Sequence, residues 1–207
     1  DCADAAIAFR WIFSRINSLP AGQTLAGTDT LFTNRSFKNK WKKLRRSSVW
    51  YKDRVFMASL RYLVSNTYTH SLKRDSYPVA ITPEHLSEGA YRLTFSGRSG
   101  HTVLIHRQNI NGVPLSSLNS TVPKKVRSLT ESIFIPNRIE TRKEGGLVKH
   151  LWIVKKSGRL VKVKPRDMPG FSLEQYDPEF GKKNFSVAVL YRINPNFNPV
   201  KVYEELY

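Results

Sequence analysis

Covalent chemistry in this chain falls to few residues. Cys2 is the sole cysteine among 207 residues, and of the five histidines His101 is the one set just after a glycine at the head of a strand pattern. A thiol attacks a carbonyl as its thiolate, and a histidine within reach takes the proton and later returns it to the leaving group. Cys2 stands where a helix should begin. Asp1 is a good N-cap, Asp4 supplies a carboxylate in the first turn, and Ile7, Ala8, Trp11, Ile12 and Arg15 follow at helical spacing, which predicts a helix over residues 1–17. At the first helical position, unpaired N–H groups and the positive end of the helix dipole favour thiolate over thiol. Asp1 and Asp4 oppose that effect, so a nearby imidazolium is needed as well. The plain alternative is that a lone cysteine is a small buried hydrophobe.

The elements that must position this pair are a buried helix and a strand pair. Ile7, Phe9, Trp11, Ile12, Phe13 and Ile16 give the first helix more apolar residues than one face requires, which predicts that it is largely buried. Residues 86–95 read as a strand, Ser96-Gly97-Arg98-Ser99-Gly100 as its connection, and His101 opens the next strand, 101–106. Two histidines, His85 and His106, compete with His101, and His70 stands apart from all three. His85 lies outside the strand, His106 falls on the opposite face in a period-two strand, and His70 reads as an exposed loop residue with no acid or second histidine at a metal spacing. Asn111-Gly112 signals a hairpin turn, after which 113–120 returns as a further strand.

The cysteine at a helix start, the strand entered through an apolar-x-x-Gly turn (Leu86-Ser-Glu-Gly89) and Gly100-His101 opening the next strand resemble papain-like cysteine peptidases of the NlpC type, bacterial cell-wall amidases and endopeptidases. The resemblance covers residues 1–17 and 86–119. It implies an α+β fold of papain-like/NlpC type, in which the leading helix packs on an antiparallel β-sheet, with a helical insertion at about 34–80 and a β-rich extension at about 124–207 of one hydrolase-like domain. It further implies Cys2 as nucleophile, His101 as base and a third polar residue from the neighbouring strand, here Asn119 with Ser117 as understudy. The Cys2 N–H would help bind the oxyanion. Peptidoglycan peptides are the implied substrate and the cell envelope or exterior the implied location. The family's other oxyanion-side residue precedes the nucleophile, so the chain is expected to have lost an upstream part.

Charge points to a partner class. With 34 Lys and Arg against 16 Asp and Glu, the formal net charge of +18 predicts attraction to peptidoglycan or another anionic polymer, to anionic lipid or to nucleic acid, although no nucleic-acid motif is present. Lys38, Lys40, Lys42, Lys43, Arg45 and Arg46 form the densest run and are the candidate polyanion contacts, with a solvated helix face as the ordinary reading. This supports a second function from another class, a non-catalytic basic module that binds an anionic polymer or nucleic acid. One cysteine excludes an internal disulfide and a CxxC site, and without a phosphate-cradling glycine loop no cofactor is expected. No apolar run is long enough to span a membrane.

The remaining chain is punctuated by turns. Residues 20–33 read as a loop, 47–66 as a second long helix and 81–85 as a helical turn. Residues 132–135, 149–155 and 158–164 read as strands, the last two joined through Lys156-Ser157 as a hairpin. Residues 173–176 read as a helical turn and 185–193 as a final strand.

Overall fold

Cys2 starts a helix, as the spacing predicts: α1 runs Cys2–Ile16. The computed structural model describes residues 2–97, 99–108, 114–118, 136–198 and 200–201, with the backbone alone for 37–38, 106–108 and 114–118. These residues form two compact units. Of the described residues, 2–77 and 150–169 make the first and 78–149 and 170–201 the second.

In the first unit, α1 is followed by β1 (Gly22–Thr24) and β2 (Leu31–Thr33), then α2 (Asn34–Lys40), a 3-10 turn at Trp50–Lys52, α3 (Arg54–Ser65) and α4 (Thr69–Lys73). The stretch expected to be a loop therefore contains an antiparallel hairpin, with Gly22 paired to Thr33. The second helix starts at Arg54 rather than near 47. Asp53 decides this boundary, because its Oδ1 accepts the Val55 and Phe56 N–H groups at 3.0 and 3.1 Å and so closes the first turn. His70 lies in α4, half-buried and stacked near Tyr68, rather than in an exposed loop. Ala3, Ile7 and Trp11 of α1, Val55, Phe56 and Leu63 of α3 and Leu72 of α4 are buried together in the core of this unit. Burial of α1 is one-sided, however. Phe9, Phe13 and Ile16 are exposed, which corrects the expectation of a largely buried helix.

The chain passes to the second unit within β3 (Ser76–Pro78). There β4 (Tyr91–Ser96), β5 (Ser99–Gln108), β6 (Pro114–Leu118) and β7 (Gly145–His150) build a sheet of order β3-β7-β4-β5-β6. β4 is antiparallel to both β5 and β7, and β5 to β6. The expected strand over 86–95 begins only at Tyr91, since 86–90 are turns. Leu86 N–H donates to Thr82 O at 2.8 Å, closing the expected helical turn there. Gly145 and Gly146 hold φ of 119° and 144°, and a Cβ on Gly145 would strike Leu93 O of the neighbouring strand. Only glycine permits that approach of β7 to β4.

The expected strand 149–155 is broken at Leu151-Trp152: His150 ends β7, and Ile153 starts β8 (Ile153–Lys156). β8 pairs with β9 (Arg159–Lys162) through the predicted hairpin, whose Ser157 and Gly158 hold φ of 46° and 79°, as a type I′ turn requires. Two 3-10 turns follow, at Pro165–Asp167 and at Glu174–Tyr176 where a helical turn is expected. The last expected strand is instead a helix, α5 (Phe185–Ile193). Asn184 caps it by accepting the Val187 N–H at 3.1 Å, and Phe185, Val189 and Ile193 are buried at a spacing of four. The fold is thus α+β with antiparallel sheets and a leading helix. Strand 132–135 and turn 111–112 lie outside the described residues.

Candidate functional site

Cys2 is half-buried at the first position of α1, and its Sγ lies 3.8 Å from the hydroxyl of Thr69, the first residue of α4. The small side chains of Ala3 and Ala6 are buried where α4 comes beside α1, which leaves room for that approach. Two more groups fix the same helix from later in the chain. His150 Nε2 lies 3.3 Å from Ala6 O, and Arg10 Nη2 donates to Leu151 O at 2.6 Å. Burial holds the His150 imidazole well below its ordinary range, and the Arg10 guanidinium pushes in the same direction against the Ala6 hydrogen bond. His150 is a neutral structural residue at neutral pH.

His101 is the third residue of β5, which begins at Ser99, so it does not open the strand as expected. It pairs with Thr94 and is half-buried. Cys2 belongs to the first unit and His101 to the second. Asn119 lies outside the described residues, and Ser117 is placed by its backbone in β6, opposite Ile105. The register shifts between Ile105 and Arg107, so the simple alternation used to set His106 against His101 is interrupted at that point. His85 is packed against Gly170, whose absent Cβ would fall on the imidazole ring.

The basic run is arranged differently from a helix face. Lys40 ends α2, and its Nζ sits 3.6 Å above the Tyr62 ring, beside Trp41. Lys42, Lys43, Arg45 and Arg46 are exposed in the irregular chain that follows, while Lys38 is described by its backbone alone. Arg46 also borders a pocket of 330 Å³ with Trp11, Arg15, Ser18, Leu19 and Asp53. Arg15 donates through Nη2 to Ser47 O at 2.7 Å and to Asp53 Oδ2 at 3.2 Å, tying the end of α1 to the segment that carries the cations.

Sequence reasoning missed Thr69, because nothing local relates it to a cysteine 67 residues earlier. It also missed Lys149, whose half-buried ammonium donates to Ser87 Oγ at 3.3 Å. Burial lowers the Lys149 pKa, and Glu88 and Glu84 act against that shift. Among the described residues no cluster of His, Cys, Asp and Glu is arranged to hold a metal ion. No family model, curated protein or solved structure matches the chain.

Proposed function

We propose that this protein is a thiol-dependent hydrolase of the papain-like, NlpC type that cleaves amide bonds in peptidoglycan peptides at the cell envelope. The observation that carries the reading is the place of Cys2: first residue of a fifteen-residue helix, half-buried, with a hydroxyl beside its sulfur. In this mechanism His101 takes the Cys2 proton as sulfur attacks the carbonyl, and the Cys2 N–H steadies the oxyanion. Collapse of the tetrahedral adduct expels the amine, which leaves with the proton from His101. Water, deprotonated by the same imidazole, then cleaves the thioester to a carboxylic acid and restores the thiol. Asn119 orients the ring, with Ser117 next in line. Incubation with purified peptidoglycan, followed by mass analysis of soluble products, is expected to release fragments with new carboxyl and amino ends. Cys2→Ala should abolish this release, and an active Cys2→Ala variant would sink the mechanism.

The exposed cations favour a second reading, a basic module for an anionic polymer, because four of them lie in consecutive irregular chain open to solvent. Neutralising Lys42, Lys43 and Arg45 is then expected to weaken heparin binding and flatten its salt dependence. An unchanged salt slope returns the run to an ordinary solvated surface.

A further inference from the structure

The exposed residues of α1 form a stripe. Phe9, Phe13 and Ile16 recur at intervals of four and three, on the side opposite buried Ala3, Ile7 and Trp11, and are 45%, 61% and 62% exposed. Leu19 continues the apolar surface past the helix end. Leu19 and Arg46 border one pocket together with Trp11, Ser14 and Arg15, and Arg15 bonds Ser47, so the chain just past the helix, at Leu19, meets the basic segment within the same unit. That segment carries exposed apolar residues of its own: Leu44, Val49 and Tyr51. Between Asp29 and Asp53 the sequence holds eight Lys and Arg and no carboxylate.

We propose that this surface docks the protein on an anionic lipid bilayer, with Phe13, Ile16 and Leu19 entering the interface and Lys42, Lys43, Arg45 and Arg46 meeting the headgroups. A soluble polyanion uses the cations and leaves the stripe in water. A second copy covers the stripe but sets two strongly cationic surfaces, from chains of net charge +18 each, against one another. A bilayer containing anionic lipid satisfies both features, and cation and apolar contributions add in interfacial binding. No helix of the described residues is long and apolar enough to cross a membrane, and docking at the interface requires none.

The test is co-sedimentation of the full chain with vesicles of phosphatidylcholine, with and without phosphatidylglycerol, run beside heparin chromatography. Wild-type protein is expected to pellet with the phosphatidylglycerol vesicles and to stay soluble with phosphatidylcholine alone. Phe13→Ser with Ile16→Ser should lower the vesicle partition by roughly tenfold or more while heparin retention stays unchanged. Lys42→Ala with Lys43→Ala should weaken both, vesicle binding by about tenfold or more. Cys2→Ala should bind vesicles as wild type does, which separates this surface from the hydrolase reading. Equal vesicle binding by the double serine variant overturns the proposal, since attraction by charge alone then suffices. A wild-type dimer that the same variant converts to monomer, without wild-type vesicle binding, assigns the stripe to a second copy and overturns it too. Should the double variant unfold by circular dichroism, Phe13→Trp answers instead: brominated lipid must quench it more than wild type, and equal quenching contradicts insertion.

Discussion

In each unit a buried polar side chain gathers hydrogen bonds from distant segments, Asp75 in the first and Gln175 in the second, and the two do so with opposite chemistry. In the first unit Asp75, 1% exposed, accepts from Gln23 Nε2 at 2.5 Å, from Thr24 N and Oγ1 at 2.7 Å each, and from Lys162 Nζ at 3.1 Å. It thereby joins the end of α4 to both β1 and β9. In the second unit Gln175, 2% exposed, acts as an added piece of backbone: Oε1 accepts Leu147 N at 2.7 Å, and Nε2 donates to Leu147 O at 2.9 Å and Val79 O at 3.4 Å. Beside it the Tyr176 phenol, pushed up to about 12 by burial, donates to Gly145 O at 2.8 Å. The charged hub needs a cation at hand and is costly to break. The neutral hub needs only matched donors and acceptors, so its loss leaves no uncompensated charge.

The sharpest way to break this contrast is Asp75→Ala, which takes the acceptor from Thr24 N and the Gln23 amide and leaves the Lys162 ammonium with Thr24 Oγ1 and Arg74 O but no counter-charge. Loss of one partner of a buried ion pair costs about 3–5 kcal/mol, and the lower end applies here because the Lys162 side chain is 29% exposed. Urea unfolding measures it, and Asp75→Asn should fall between wild type and alanine. Gln175→Ala should cost about 2 kcal/mol and speed hydrogen exchange at the Leu147 amide, since the buried Leu147 N–H loses its acceptor and the Leu147 and Val79 carbonyls each lose a donor, Leu147 O keeping the Val79 N–H. If it proves as damaging as Asp75→Ala, the hubs do not differ through charge. The third effect is pH dependence through His150. Its folded pKa lies well below the ordinary 6.5, so below that pH the unfolded chain binds a proton that the folded chain refuses. The contribution is therefore intact above pH 6.5 and falls by up to about 1.4 kcal/mol per pH unit below it. His150→Gln should flatten this acid limb, and an unchanged limb would assign it to other groups.

Neither hub was legible in the sequence, because Asp75 meets Gln23 and Thr24 across 52 and 51 residues and no local pattern encodes that pairing. What local chemistry does encode was readable: α1 from its apolar spacing, the β8–β9 hairpin, expected through Lys156-Ser157 and turning one residue later at Ser157-Gly158, β5 from its apolar content, and β6 from the Asn111-Gly112 turn signal before it. Where two local signals compete, composition misleads. The Val-, Phe- and Tyr-rich segment of α5 has strand propensity, but the Asn184 cap and the four-residue spacing of its buried side chains carry it into a helix. The same limit governs the candidate site. The position of Cys2 at a helix start follows from its immediate neighbours, whereas Thr69 beside its sulfur depends on how α4 packs.

The proposal that Cys2 is a nucleophile activated by His101 is tested most directly, in the folded protein, by the pH profile of Cys2 alkylation by iodoacetamide. Reaction is expected well below pH 8, with a shift of the profile toward the ordinary thiol pKa of about 8.5 in His101→Ala. A thiol that resists alkylation until the protein unfolds, or a profile that His101→Ala leaves in place, would contradict it.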